Sequence, residues 1–188
     1  MSDEHKKALI GFHSFTGNDY ASSFFRKSKS HCWQIVEKNN RFVDAFSRLG
    51  TEWSIDADLL SKLEEYVCNI FGKKNKEVNT VRYEIFKNVY EKKGKIQDLS
   101  LLPPCRQSLH LHCQRSNYIA KVWRSCLQAN IDFANINQNG WSADGKIIWI
   151  DAAYPTEVEQ ILAGEESNHG SSDESKDEEI SDSDEDFL

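Results

Sequence analysis

Pro103-Pro104-Cys105-Arg106-Gln107-Ser108-Leu109-His110-Leu111-His112-Cys113-Gln114-Arg115-Ser116-Asn117-Tyr118-Ile119-Ala120-Lys121-Val122-Trp123 opens the longest periodic stretch of the chain. Leu109, Cys113, Ser116, Ala120, Trp123 and Leu127 recur at three- and four-residue intervals, which puts them on one face of a helix. Proline is tolerated in a first turn, where no amide partner is required, so Pro103-Pro104 reads as the start of that helix. The same period runs upstream. Residues 4–14 form a short apolar helix ending near Thr16-Gly17, and residues 28–38 place Cys32, Ile35 and Val36 on one stripe. Residues 40–49 align Phe42, Ala45, Phe46 and Leu49, and Gly50 stops them. Asp56 caps a helix running to Phe71 with Leu59, Leu60, Leu63, Val67 and Ile70 inward. Residues 78–93 repeat the pattern with Val81, Ile85, Phe86, Val89 and Tyr90.

Beyond residue 130 the period changes. Gly140-Trp141-Ser142-Ala143-Asp144-Gly145-Lys146-Ile147-Ile148-Trp149 reads as a hairpin with Asp144-Gly145 as its two-residue turn and Trp141 opposite Ile148. A short helix over residues 156–163 follows. The expected fold is mainly α: a helical bundle-like body of about seven helices with one C-terminal β-hairpin, spanning residues 1–163. Residues 164–188 are expected to form a disordered acidic tail, because they are nearly devoid of apolar side chains and repel themselves.

The tail dominates the charge. Residues 165–188 hold eleven acids and one cation, Lys176, for a net −10, whereas residues 1–164 hold 22 Lys+Arg against 19 acids, for a net +3. The formal −7 of the whole chain therefore describes the tail. A body this mildly basic lacks the footprint of a dedicated duplex-DNA binder. Five cysteines, Cys32, Cys68, Cys105, Cys113 and Cys126, are an odd number set within apolar helical patterns. They read as free buried thiols in a reducing compartment. The N-terminus shows no secretory signal, and the longest apolar run, Ile147-Ile148-Trp149-Ile150, is far too short to span a bilayer. The chain is expected to be intracellular, in nucleus or cytosol, with no membrane partner.

Phe15-Thr16-Gly17-Asn18-Asp19-Tyr20 carries the most suggestive chemistry. Asp19 is a candidate metal ligand, and the basic run Arg26-Lys27-Ser28-Lys29 follows it. Metal-dependent nucleases use this order, the acid holding a divalent ion and the cations meeting phosphate. Arg26, Lys27 and Lys29, with His31 close behind, are accordingly the candidate nucleic-acid contacts. The plainer readings are an Asp in ordinary Gly-Asn-Asp turn chemistry and a solvated basic surface.

Cys105, His110, His112 and Cys113 lie close in sequence. On a helix, however, His110 and His112 point to different sides, which argues against a shared zinc ion. Trp33, Trp53, Trp123, Trp141 and Trp149 could stack bases, but each lies in a pattern that predicts core. No nucleophile–histidine arrangement, phosphate loop or dinucleotide fingerprint is present. In the tail, Ser171, Ser175, Ser181 and Ser183 each precede an acid by three residues, a spacing that suits an acidophilic kinase of the casein-kinase-2 type.

The segment from Phe15 to Tyr20 with its basic sequel resembles the Gly-x-Asp-Tyr loop of the flap-endonuclease/XPG branch of PIN-like nucleases. A broader similarity covers residues 8–162. Leu102-Pro103-Pro104-Cys105-Arg106, then His112, Arg115, Asn117-Tyr118 and Trp123, then Gly140-Trp141, Asp144-Gly145 and Trp149, resemble the C-terminal part of an uncharacterised, mobile-element-associated family of animal proteins with a PIN/flap-endonuclease-like domain. The resemblance implies a nuclease-like ancestry in which Asp19 is the last of several metal-binding carboxylates. An upstream Asp-Thr-Asp-Val segment supplies the others in that family and is absent here. Asn18 replaces the family's Cys, Arg26-Lys27-Ser28-Lys29 lacks glycines, and the acidic tail stands where some relatives carry a cysteine-rich C-terminus.

Two-metal cleavage holds its ions about 4 Å apart with several carboxylates, which one Asp cannot do. The expectation is a truncated, non-catalytic relative needing no cofactor, with Mg²⁺ relevant only to a complete nuclease site. Its expected partners are nucleic acid or, through the acidic tail, basic proteins such as histones or ribosomal proteins. A fragment of an active nuclease is the further alternative.

Deleting residues 165–188 is expected to leave the far-UV helical signal and the thermal unfolding of the body nearly unchanged, since that segment has no apolar face to pack. A large loss of stability in the truncated protein would show that the tail docks on the body.

Overall fold

The computed structural model describes residues 2–74, 77–93 and 99–150. Within them the order is α1 (Asp3–Phe15), α2 (Lys29–Glu37), α3 (Asn40–Arg48), α4 (Ala57–Ile70), α5 (Val78–Lys93) and α6 (Arg106–Arg124), with short 3-10 turns at Leu99–Leu101 and Ile136–Gln138. The architecture is mainly α. The helix expected over residues 156–163, the acidic tail and its four serines lie outside the described residues.

Helices α1 to α4 each start where a polar side chain takes up an orphan amide. Ser2, Ser28, Asn39 and Asp56 accept from the backbone of His5, His31, Arg41 and Leu59, the last at 2.7 Å. For α5 the acceptor comes from another helix. The Glu64 carboxylate, buried on α4, accepts from Val78 N at 3.0 Å and pairs with Arg106 Nε at 3.4 Å. One acid thus ties α4 to the first turns of α5 and α6.

Aromatic side chains fill the centre. Tyr66 meets Phe46 edge-on at 4.8 Å and Phe42 at 5.4 Å, while Phe15 packs on both Phe46 and Tyr66. The Tyr66 hydroxyl donates to the Cys32 carbonyl at 3.2 Å, so its polar end is satisfied inside the core. Gly11 lets α1 lie directly on α3, since a Cβ there would overlap the Phe46 carbonyl oxygen and touch Leu49 Cβ at 3.0 Å.

Several expectations are corrected. Pro103 and Pro104 precede α6 instead of starting it; Cys105 is the N-cap, its sulfur 3.5 Å from Ser108 N. The helix ends at Arg124 and continues in tighter turns, with Cys126 N bonded to Trp123 O and Gln128 N to Ser125 O, which leaves Leu127 96% exposed. Among the described side chains of α5 the buried positions are Val78 and Val81, with Ile85 against the core, and Phe86, a step around the helix, is 42% exposed; Val89 and Tyr90 lie outside the described side chains. Cys32, Cys68 and Cys113 are buried, but Cys126 is exposed and Cys105 half-buried; all five are free.

At residues 140–148 the chain reverses. Gly145 N bonds to Ser142 O at 2.9 Å, Ser142 N to Lys146 O at 2.8 Å, and Trp141 forms an antiparallel bridge with Ile147. The turn therefore holds three residues, Ala143-Asp144-Gly145. The extra residue moves the register by one, so Trp141 meets Ile147 instead of the expected Ile148. No strand is present among the described residues. Trp149, expected in the core, lies beyond that bridge and is 81% exposed.

Gly11→Ala is expected to destabilise the protein by about 1–3 kcal/mol in chemical denaturation, because the clash is with backbone and outweighs the better helix propensity of alanine. An unchanged or raised midpoint would show that the packing of α1 on α3 can relax.

Candidate functional site

The loop between α1 and α2, residues 16–28, carries Asp19, Arg26 and Lys27, and Lys29 follows as the first residue of α2. Gly17 opens it at φ 108, where a Cβ would lie 2.8 Å from Ser23 Cα. Asn18 then holds the turn through its side chain, which donates to Ser14 O at 3.0 Å and accepts from Tyr20 N at 2.8 Å, while its backbone bridges Ala21. Asp19 projects from this turn into solvent. Its electrostatic reach is toward His13, whose proton affinity it raises.

Arg26 turns the chain at φ 55, in the left-handed region that a side chain seldom adopts. Its guanidinium lies 5.1 Å from the Phe25 ring centroid, and Lys27 Nζ lies 4.5 Å from that of Phe71. Lys29 begins α2 and donates to His13 Nδ1 at 2.6 Å. The His13 ring in turn stacks on Trp123 of α6 at 5.4 Å. Partial burial, and then the Lys29 charge, lower the His13 pKa below its ordinary 6.5, so the ring is a neutral acceptor. Partial burial likewise lowers that of Lys29.

None of Arg26, Lys27 and Lys29 takes part in an ion pair among the described residues. The first turn of α2 contains no acid either, although that is the positive end of the helix dipole. Three cations outside any ion pair among the described residues therefore fall within the four residues that lead into the N-terminus of α2.

The Cys105–Cys113 segment does not converge. His110 is exposed, Cys113 is in the core, and Cys105 caps α6. His112 is buried against Phe15 and Phe24, with Nε2 2.8 Å from the Phe15 carbonyl. A carbonyl can only accept, so Nε2 carries the proton of a neutral ring. Burial pushes the His112 pKa down to about 4, the Phe15 carbonyl opposing and the Arg115 charge reinforcing that shift. Among the described residues, no three His, Cys, Asp or Glu side chains are grouped to hold a metal ion.

Sequence reasoning did not single out His13, or the partnership of Trp123 with the basic loop. Nothing in the local sequence marks a contact across more than a hundred residues. It also passed over Arg115, whose signal was available: a charge in a stripe with His112 and Ile119, buried on the same helix.

No protein-family model, no curated protein and no solved structure matches the chain. Among the described residues no helix is long and apolar enough to cross a membrane.

His112 makes the fold acid-sensitive. The folded protein keeps the ring neutral down to about pH 4, whereas the unfolded chain protonates it near pH 6.5. Its contribution is therefore complete above about pH 6.5 and is lost as the pH falls toward 4, by on the order of 3 kcal/mol. Urea midpoints measured from pH 7 to pH 4 are expected to fall, and His112→Gln is expected to flatten part of that slope. An identical slope in the variant would assign the acid sensitivity to other groups.

Proposed function

We propose that this protein is a non-catalytic nucleic-acid binder, a mobile-element-derived relative of PIN/flap-endonuclease-like proteins that meets phosphate with the loop between α1 and α2. The carrying observation is the run of Arg26, Lys27 and Lys29, unpaired with any carboxylate among the described residues and leading into the acid-free first turn of α2. Cations held at the positive end of a helix dipole repel one another and gain most from an arriving anion. Exposed Tyr20 and Phe25 flank them, and Trp123 stacks behind Lys29 through His13. Aromatic faces beside a basic track favour unpaired bases over a duplex.

Binding fits this loop better than cleavage. Asp19 stands in no group of three metal-ligating side chains among the described residues, and two-metal phosphodiester hydrolysis needs several carboxylates. The −10 charge of residues 165–188 is expected to oppose phosphate binding, so the affinity of the whole chain is expected to be low and steeply salt-dependent.

Gel-shift titrations with single-stranded and duplex oligonucleotides test this reading on the full chain and on a chain ending at residue 164. The shorter chain is expected to bind more tightly. Replacing Arg26, Lys27 and Lys29 together by Ala is expected to reduce the slope of log K against log salt by about 2, near 0.7 for each single-strand phosphate no longer neutralised. No cleavage is expected with Mg²⁺ or Mn²⁺. Failure of the shorter chain to bind DNA or RNA at high micromolar concentration and low salt would refute the reading, and cleavage abolished by Asp19→Ala would restore the nuclease.

A further inference from the structure

Two arginines on α6, Arg115 buried and Arg124 half-buried, have no carboxylate partner among the described residues, and they differ in what surrounds them. Arg124 gives its guanidinium to four backbone carbonyls: Leu49, Phe46 and Ser47 at the end of α3, and Lys7 on α1, at 2.9–3.3 Å. Its Nε and Nη2 are thereby committed to a structural clamp. Arg115 is only 6% exposed and donates from Nη1 to the Gly140 carbonyl at 3.0 Å. Its Nε is buried with no partner at all. No ion pair among the described residues includes Arg115, and burial lowers its pKa. A buried guanidinium balanced by neither carboxylate nor a full set of carbonyls is costly to keep.

Arg115 also lines a cavity. The space, about 290 Å³, lies between α6, the second half of the α1–α2 loop and the segment after the Trp141–Ile147 bridge. Its walls are largely apolar, with Phe24, Phe71, Leu111 and Ile148 among them. His112 faces it as well, but as a neutral ring already bonded to the Phe15 carbonyl. The cavity therefore combines one uncompensated positive charge with room for a small apolar body.

We infer that this cavity is a binding site for a small organic monocarboxylate, its carboxylate on the Arg115 guanidinium and its apolar portion against Phe24, Phe71 and Leu111. Charge balance selects the class. A single buried cation neutralises one negative charge, so a monocarboxylate enters without leaving net charge in an apolar space, whereas a phosphate dianion does not. The planar fork suits a carboxylate, and the apolar walls reward a hydrocarbon body over a bare inorganic ion. This site is separate from the solvent-facing cations of the same loop and does not depend on nucleic-acid binding.

Isothermal titration of the full chain with 3-phenylpropionate, with the neutral 3-phenylpropanol and with inorganic phosphate tests the inference. The acid is expected to bind saturably at one site, at least tenfold more tightly than the alcohol and more tightly than phosphate. Arg115→Met is expected to abolish that preference for the acid. Should that variant fail to fold, the comparison of the three probes on the native protein still decides. Equal binding of acid and alcohol, tighter binding of phosphate, or no binding of the acid at tens of millimolar would each overturn the site. So would an acid preference retained in a natively folded Arg115→Met.

Discussion

The seat of α6 on the turn that follows α3 is the constraint on which the other helices depend. Gly50 occupies that turn at φ 81, and a Cβ there would lie 2.5 Å from Ala120 Cβ, so only glycine permits both the backbone conformation and the approach. Asn117, one turn earlier on α6, then saturates the turn. Its Oδ1 accepts from Gly50 N at 2.8 Å, and its Nδ2 donates to Glu52 O and Trp53 O at 2.9 and 3.0 Å. Arg124 closes the contact on carbonyls that α3 leaves without an intrahelical partner. With the rotation of α6 set by Gly50, Asn117 and Arg124, the helical period leaves no freedom to the remaining side chains. Leu109 and Cys113 enter the core, His112 meets Phe15, and Arg115 arrives at Gly140.

Polar groups inside this small body fall into distinct physical cases. Glu64 is compensated twice, by an amide at a helix start and by a cation. Arg124 is compensated by carbonyl dipoles alone. His112 avoids the problem by remaining neutral, which transfers the cost to acid pH. Arg115 has only the Gly140 carbonyl, and that shortfall beside an open cavity distinguishes it from the others. Burial by itself thus says little about role; what separates clamp from site is a buried donor left without a partner, as Arg115 Nε is.

The helices were readable because their caps and apolar stripes are local signals. Asp56 before the Leu59–Ile70 stripe, Gly50 after Leu49 and the uninterrupted period from Leu109 to Ala120 each mark an element without reference to the rest of the chain. What failed depends on tertiary context. Leu127 continues the helical spacing of α6, yet the helix stops three residues earlier, at the clamp made by Arg124. Phe86 matches the hydrophobicity of Ile85, but among the described side chains of α5 it is Val78, Val81 and Ile85 that meet the core. The Asp144-Gly145 pair marks a turn correctly without determining its length, since a glycine in positive φ serves a three-residue turn as well as a two-residue one. At the candidate site, the sequence named Arg26, Lys27 and Lys29; only the fold could show that they stand apart from carboxylates and that Lys29 reaches Trp123 through His13.

The backbone of the α1–α2 loop bears on how it would meet phosphate. A glycine-rich loop offers rigid amides that approach an anion closely. Here a glycine, Gly17, serves only the opening turn; at the basic run the residue at positive φ is Arg26, so the chain bends by spending conformational energy, on the order of 1 kcal/mol, on a side chain that is itself a cation. Beyond the capped start of α2, contacts in the proposed reading must therefore come from long side chains, two of which already rest on Phe25 and Phe71. Such contacts are adaptable in direction and lose rotamer freedom when made, which sets weak affinity and little sequence preference. Phe24, Phe25 and Phe71 at the same time wall the cavity that holds Arg115. Two of the rings that line the cavity with Arg115, Phe25 and Phe71, are thus the rings on which Arg26 and Lys27 rest, so the proposed outer and inner sites share aromatic side chains.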